Sequence, residues 1–485
     1  MQYDIPAWVP DAIFYQIFPD RFARSGRVPQ PSNLEPWDAD PTPHGYKGGD
    51  LLGVIDHLDY LASLGINAIY FNPIFQSAAN HRYHTHDYFQ VDPLLGGNAA
   101  FEAMMGACRD RGIRVVLDGV FNHASRGFFQ FNDLLENGQQ SPWRDWFKIH
   151  DWPLKAYDES EPARFNAWWG LHALPQLNTD NPEVREFLMQ VGEYWLAKGV
   201  DGWRLDVPEE IQTEGFWEEF RSRTRAVNPE SYIVGEIWKP APDWVNEGSR
   251  FDGVMNYPFG EYVLRFVAGE RINLAITDPA SYDLSHPHDA GGYSDSIDFL
   301  QRVYSRQATL ANLNLFGSHD TPRLLEAVGG DRESVVLATV LQMTFPGAPS
   351  IYYGDEIGMR GAHDPGSRGG FPWDRRDSWD EDLLTIFSEL IALRKQEKVL
   401  RTGEYRRLAP GEGEYETWLY VMERRLADDG VVVAVNAGDD ESSTMFAYHQ
   451  EDSKLIWGQG SIATTDGMTT VTVPGRAAAI WNIRS

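Results

Sequence analysis

Apolar and polar positions along the chain fall into a repeating unit. Segments with apolar residues three and four apart end in glycine and pass directly into a short apolar run: LASLG then INAIYFNP, ACRDRG then IRVVLDGVF, WLAKG then VDGWRLDV. Val184, Phe187, Leu188 and Val191 share one face of such a segment, just after the helix-start signal Asn181-Pro182. Gly65, Gly112 and Gly199 stand where a left-handed residue closes a helix. The runs that follow are almost wholly apolar, as strands covered on both faces are. Repeated helix–glycine–strand units predict right-handed crossovers around a parallel sheet.

Eight runs read as strands: 13–18, 66–71, 113–118, 200–206, 232–236, 252–257, 313–317 and 349–354. Eight strands with intervening helices predict an α/β fold of the (β/α)8 TIM-barrel type. An open doubly wound sheet is the alternative, but no glycine-rich phosphate turn follows the first strand. Residues 121–180 are too long for an ordinary βα loop. They hold Phe128, Phe129, Trp143, Trp146, Phe147, Trp152, Trp168 and Trp169. That density predicts a small inserted subdomain over the barrel mouth, most of whose rings form its own core. From about residue 400 the pattern changes to strands separated by polar turns, as in VVVAVNAG and TTVTVPGRAAAIWNI. The predicted organisation is a barrel over 1–120 and 181–399, an insert over 121–180 and a C-terminal antiparallel β-sandwich over 400–485.

A chain of 485 residues exceeds one simple core, in keeping with several domains. Its formal net charge of −29 argues against nucleic acid or anionic membrane as partners and suits a neutral ligand such as a sugar. The single cysteine, Cys108, has no internal partner and shares a helical face with Phe101, Met104 and Met105, as a core thiol does. The N-terminus has no basic start followed by an apolar stretch, and no run is long enough to span a bilayer. A cytoplasmic location is expected.

Polar residues gather at the C-terminal ends of the strands: Asp118, Arg204, Asp206, Glu236, His319 and Asp320. In a barrel this end carries the active site. Arg204 and Asp206 are two apart on a strand and point the same way. Such a pair is either a buried ion pair or a carboxylate kept ionised as a nucleophile by its arginine. Glu236 follows an apolar strand, where burial raises a carboxyl pKa. Asp206 and Glu236 end consecutive strands, about 5 Å apart, the spacing of a retaining glycosidase pair. Asp320 supplies a third carboxylate, and His123 and His319 supply donors nearby. His81, His84 and His86 in HRYHTHDY suggest zinc only weakly, because no glutamate–histidine helix motif accompanies them. Tyr83, in the same stretch, offers a flat ring to a sugar face.

The ordered motifs DGVFNH (118–123), LPQLN (174–178), GWRLD (202–206), GEIW (235–238) and GSHD (317–320) resemble those of the alpha-amylase family, glycoside hydrolase family 13. Within it, NHRYHTHDYFQVDPLLGG, WRDWFKI and IYYGDEIGMRGAHDPGSR are most similar to the cyclomaltodextrinase, neopullulanase and maltogenic amylase group. The resemblance implies a retaining hydrolase of α-1,4-glucosidic bonds in maltooligosaccharides, cyclomaltodextrins or pullulan; a glucanotransferase or α-glucosidase on the same scaffold is the alternative. It implies Asp206 as nucleophile, Glu236 as acid/base, Asp320 as transition-state stabiliser and Tyr83 as stacking platform. His123, Arg204 and His319 match sugar-contacting positions, Asp118 a supporting one, and Asp364 with Arg368 a pair gripping the next sugar. Four departures stand out. The first strand starts near residue 13, so the group's usual N-terminal β domain is expected to be absent. Val-Pro-Glu-Glu follows the nucleophile where Val-Ala-Asn-Glu is usual. Gln176 and Glu210 replace calcium ligands, although Asn122 remains. RFARSGRVPQPSN offers few oxygen ligands at a second calcium loop, where Gly49-Asp50 survives. No metal or other cofactor is expected to be required.

Overall fold

The computed structural model describes residues 4–277, 282–448 and 452–484. Among them, eight parallel strands form the centre: β1 (Phe14–Ile17), β2 (Ala68–Phe71), β3 (Arg114–Gly119), β4 (Gly202–Leu205), β5 (Tyr232–Gly235), β6 (Gly253–Val254), β7 (Leu313–Asn314) and β8 (Ala348–Tyr352). Their ladder runs β6-β5-β4-β3-β2-β1-β8-β7. The ring closes between β6 and β7, where Met255 bridges Leu313 and the Asn256 N–H donates to the Leu313 carbonyl at 2.8 Å. This is the predicted TIM barrel. Gly65 and Gly199 both close their helices at φ 98°, a conformation that an L side chain rarely adopts.

The runs predicted over 252–257 and 313–317 pair over only two residues each. After β6 the chain turns at Asn256 into the helix Tyr257–Val267, whose first turn carries Pro258. After β7 it leaves the ladder to present residues 317–321 at the barrel mouth. The helix α1 (Gly97–Asp110) buries Phe101, Met104, Met105 and Cys108. In α2 (Pro182–Ala197), the Asn181 side chain accepts from the Glu183 N–H and caps the helix.

Residues 121–180 are mostly irregular. One helix, Phe129–Asn137, is joined by isolated bridges Phe147–Leu177, Ile149–Phe165 and Ala167–Pro175. Phe131 meets Phe147 and Phe165 edge-on at 4.9 and 5.0 Å, forming a local core. Phe129 and Trp169 stay outside it, exposed to 65% and 80%.

Among the described residues beyond 403 all pairings are antiparallel, in one five-stranded and one three-stranded sheet. Arg424 fastens this region to the barrel by donating to the carbonyls of Thr344, Leu400 and Gly403. Arg394 donates to those of Met343, Phe345, Leu400 and Gly347. Both guanidiniums thus meet carbonyls at the C-terminal end of the helix Arg332–Thr344, where positive charge is favoured. Among the described residues, no helix is long and apolar enough to cross a membrane.

Candidate active site

Asp118 and Arg204 are register partners on β3 and β4. Their side chains meet at the C-terminal mouth, where Arg204 Nη1 donates to both Asp118 oxygens, at 2.9 and 3.0 Å. The same nitrogen reaches Asp206 Oδ1 at 3.2 Å, and Nη2 lies 2.9 Å from Glu236 Oε2. One wholly buried guanidinium therefore serves three carboxylates. Leu205 pairs with Gly235, so Asp206 and Glu236 leave neighbouring strands at the same level. The Glu236 N–H donates to the Leu205 carbonyl at 2.9 Å and locks that level.

Val207, directly after Asp206, sits at φ 34°, ψ 53°. A β-branched residue in the left-handed region is a strained exception, and such strain is found at functional sites. Here it turns the Val207 N–H onto Glu236 Oε2 at 3.2 Å. The other oxygen, Oε1, accepts from the Trp238 indole at 3.2 Å. Trp238 is fixed by stacking on Tyr257, with ring centroids 3.7 Å apart.

Burial pushes the Glu236 pKa up to about 7; Arg204 opposes this and Asp320 adds to it. Burial also raises Asp206 well above the ordinary carboxylate range, reinforced by Glu236 and opposed by Arg204. Burial and Glu236 work against the ionised form of Asp206, which Arg204 favours. The charge of Arg204 is divided, most of its contact goes to Asp118, and Asp206 touches it through one oxygen.

His319 and Asp320 lie in the loop after β7. His319 Nδ1 faces the amide groups of Gln16 and Asn72, each at 3.0 Å. With Nδ1 accepting, Nε2 carries the proton and points at the Tyr83 oxygen, 2.6 Å away, and at Asp320 Oδ2, 3.0 Å away. Burial, with Arg368 and Arg204 nearby, holds this imidazole neutral. Tyr83 lies parallel to His319 at 5.4 Å and donates to Asp118 Oδ2 at 2.9 Å. Arg368 joins the cluster from the loop beyond β8: it pairs with Asp320 Oδ1 at 3.1 Å, with Asp364 Oδ1 at 3.0 Å, and donates to the His319 carbonyl. His123, buried and with its pKa lowered to about 3 mainly by that burial, has no hydrogen-bond partner for Nε2 among the described residues.

The structure joins Asp118, Arg204, Asp206, Glu236, Tyr83, His319, Asp320, Asp364 and Arg368 in one network, while His123 meets Asn122 and the Trp168 ring. It adds Trp238, the Val207 N–H, Gln16 and Asn72. Trp238 lay within the GEIW motif; the others carry no local signal, because their roles depend on strands distant in sequence. His81 and His84 pack edge to face at 4.8 Å, and His81 Nδ1 accepts from the Tyr83 N–H. Among the described residues no group of three or more His, Cys, Asp or Glu side chains is arranged to hold a metal ion.

The calcium positions also fit poorly. Gln176 donates its amide to Asn122 Oδ1 at 2.9 Å, and Asn166 donates to Gln176 Oε1 at 3.2 Å. Those oxygens are already engaged by N–H groups. At the second loop, Asp50 accepts from the Ser25 N–H, the Ser25 hydroxyl and the Gly53 N–H. The buried Lys47 ammonium meets the carbonyls of Pro36 and Ala39 at 2.7 and 2.6 Å and Glu35 at 3.4 Å. A side-chain cation gathers these oxygens.

A barrel with this carboxylate cluster at the C-terminal ends of its strands defines a glycoside hydrolase. The comparisons agree: residues 16–379 match the family described as "Alpha amylase, catalytic domain", and the chain belongs to it. It is 44% identical over 403 residues to a cyclomaltodextrinase of a Bacillus species, covering 83% of this chain and 68% of that one. To neopullulanase 2 of Thermoactinomyces vulgaris it is 38% identical over 486 residues, covering 99% and 79%. The solved debranching enzyme of Nostoc punctiforme superposes with a TM-score of 0.91 at 48% identity, covering 100% of both chains.

Proposed function

We propose that the protein is a retaining α-glucan hydrolase that cleaves α-1,4-glucosidic bonds in maltooligosaccharides, cyclomaltodextrins or pullulan. The observation that carries the reading is the Asp206–Glu236 pair: two carboxylates at one level on neighbouring strands, sharing a guanidinium, with Glu236 poised at about 7.

In this reading Asp206 attacks the anomeric carbon through Oδ2, since Oδ1 is engaged by Arg204. The bond from that carbon to the glycosidic oxygen breaks as Glu236 delivers its proton to the departing oxygen. The Val207 N–H donates to Glu236 Oε2 and the Arg204 guanidinium lies against the same oxygen, so Oε1 carries the proton. Asp320 faces the positive charge that develops on the sugar ring. A water then gives a proton to Glu236 and attacks the same carbon, releasing Asp206 with the original configuration restored. Tyr83 supports one face of the reacting sugar, His123 and His319 donate to its hydroxyls, and Asp364 with Arg368 holds the next unit. Asp118 anchors Arg204 and Tyr83. No metal or other cofactor takes part, and the lone buried thiol Cys108 suits a cytoplasmic setting.

The relatives named cyclomaltodextrinase and neopullulanase support the substrate class. The Nostoc debranching enzyme, which matches over the whole chain, favours a second reading in which the bond cleaved is α-1,6. Pullulan, maltotriose units joined by α-1,6 bonds, separates the two. Panose as its product marks α-1,4 cleavage and maltotriose marks α-1,6 cleavage. A wild type inert on pullulan, cyclomaltodextrin, starch and maltotriose refutes both.

A further inference from the structure

We propose that Trp169 is an outer stacking platform for the glucan chain, holding a glucosyl unit beyond those that flank the scissile bond. The proposal rests on the reading of the reaction site above and extends it outward along the insert.

Residues 167–175 form a tight tip on that insert. Ala167 bridges Pro175, the Trp168 N–H donates to the Leu174 carbonyl at 3.0 Å, and the Leu171 N–H donates back to the Trp168 carbonyl at 3.0 Å. Within this tip Trp169 sits at φ 51°, ψ 20°, a left-handed conformation uncommon for any residue but glycine. The strained backbone sets its indole parallel to that of Trp168, with centroids 4.6 Å apart and planes 7° from parallel. Trp168 in turn lies 5.2 Å from the His123 ring, 20° from parallel. His123 stands four residues past Gly119, the last residue of β3, at the mouth of the barrel. Three flat rings thus climb in one stack from the buried catalytic pocket to solvent.

The outermost ring is 80% exposed. A ring needed only for folding would be buried, as Phe131, Trp146 and Phe147 are in the same insert. Trp169 is instead held rigidly outward by turn hydrogen bonds and its neighbour, on a strained backbone. One pyranose face presents C–H groups and keeps its hydroxyls at the rim. That face matches a flat indole that is apolar in the middle and wet at the edge. Continuity with His123 argues for the glucan as occupant over an unrelated partner.

The test compares kcat/KM on maltotriose and maltoheptaose for wild type, Trp169→Ala and Trp169→Phe. The platform predicts that Trp169→Ala lowers kcat/KM on maltoheptaose about tenfold, chiefly through KM, and that Trp169→Phe restores most of it. Maltotriose turnover stays within about twofold, which also shows the fold is intact. An equal loss on both sugars, no loss on either, or a changed oligomeric mass in Trp169→Ala overturns the proposal. If wild type cleaves neither sugar, the reading of the reaction site fails. Calorimetric binding of maltoheptaose to wild type and Trp169→Ala then decides the platform separately: weaker binding by the variant supports it, and equal binding overturns it.

Discussion

Glu236→Gln tests the electrostatics of the site without any substrate. The side chain is 6% exposed, and burial lifts its pKa from the ordinary 4.5 to about 7. A raised carboxyl pKa means that the folded state binds the proton more tightly than the unfolded one. Stability is then fully retained below the unfolded value and lost as pH rises toward the folded value. The displacement is worth roughly 3 kcal/mol, lost between about pH 4.5 and 7. Glutamine keeps the shape and never ionises, so the variant escapes that loss. Its amide oxygen takes the place of Oε2 before Arg204 and Val207, and its NH2 group meets the Trp238 indole less favourably than Oε1 does. That mismatch is independent of pH. The prediction is therefore a difference of differences. Relative to wild type, Glu236→Gln gains about 2.5 kcal/mol on moving from pH 5 to pH 8, or about 2.5 °C in Tm for a chain of this size. Calorimetric melting at the two pH values measures it. Parallel Tm curves for variant and wild type would show that Glu236 is not held protonated by burial, and the acid assignment would lose its physical basis.

Other outcomes follow from the same geometry. The alkaline limb of kcat/KM falls near pH 7, and Trp238→Phe moves it up by roughly one pH unit, because the lost indole donor had favoured the ionised carboxylate; an unmoved limb contradicts the Trp238–Glu236 bond. Arg424→Met strips a donor from three carbonyls at the N-terminal end of the barrel, away from the carboxylates. It lowers Tm by about 3 °C with kcat unchanged, since relief of the buried charge offsets part of the roughly 1–3 kcal/mol per unsatisfied carbonyl. Exhaustive chelation leaves activity and Tm in place, whereas Lys47→Met lowers Tm by a few degrees; collapse on chelation would restore a structural metal.

The barrel was legible because its signals are local. Apolar runs after Gly65, Gly112 and Gly199 mark strands, and those glycines do take positive φ. The limits of β6 and β7 were not legible, because the closing pair is shortened by the turn at Asn256 and the exit of residue 315 from the ladder. At the site, strand-end carboxylates showed themselves by position. The spacing of Arg204 and Asp206 put both on one face of β4, and the register of β3 on β4 adds Asp118 as the main partner of the guanidinium. No dipeptide pattern carries that information. Nor does any carry the left-handed turns of Val207 and Trp169, or the parallel setting of Tyr83 on His319, which joins segments that meet only after folding.

The central claim is that Asp206 bonds to the sugar while Glu236 moves the proton. Incubation with a fluorinated α-glucosyl fluoride, which slows release of the glycosyl-enzyme, followed by proteolysis and mass spectrometry, tests it most directly. One hexosyl adduct on the peptide bearing Asp206, absent in Asp206→Asn, is the predicted result. No adduct, or one on the peptides of Glu236 or Asp320, would contradict it.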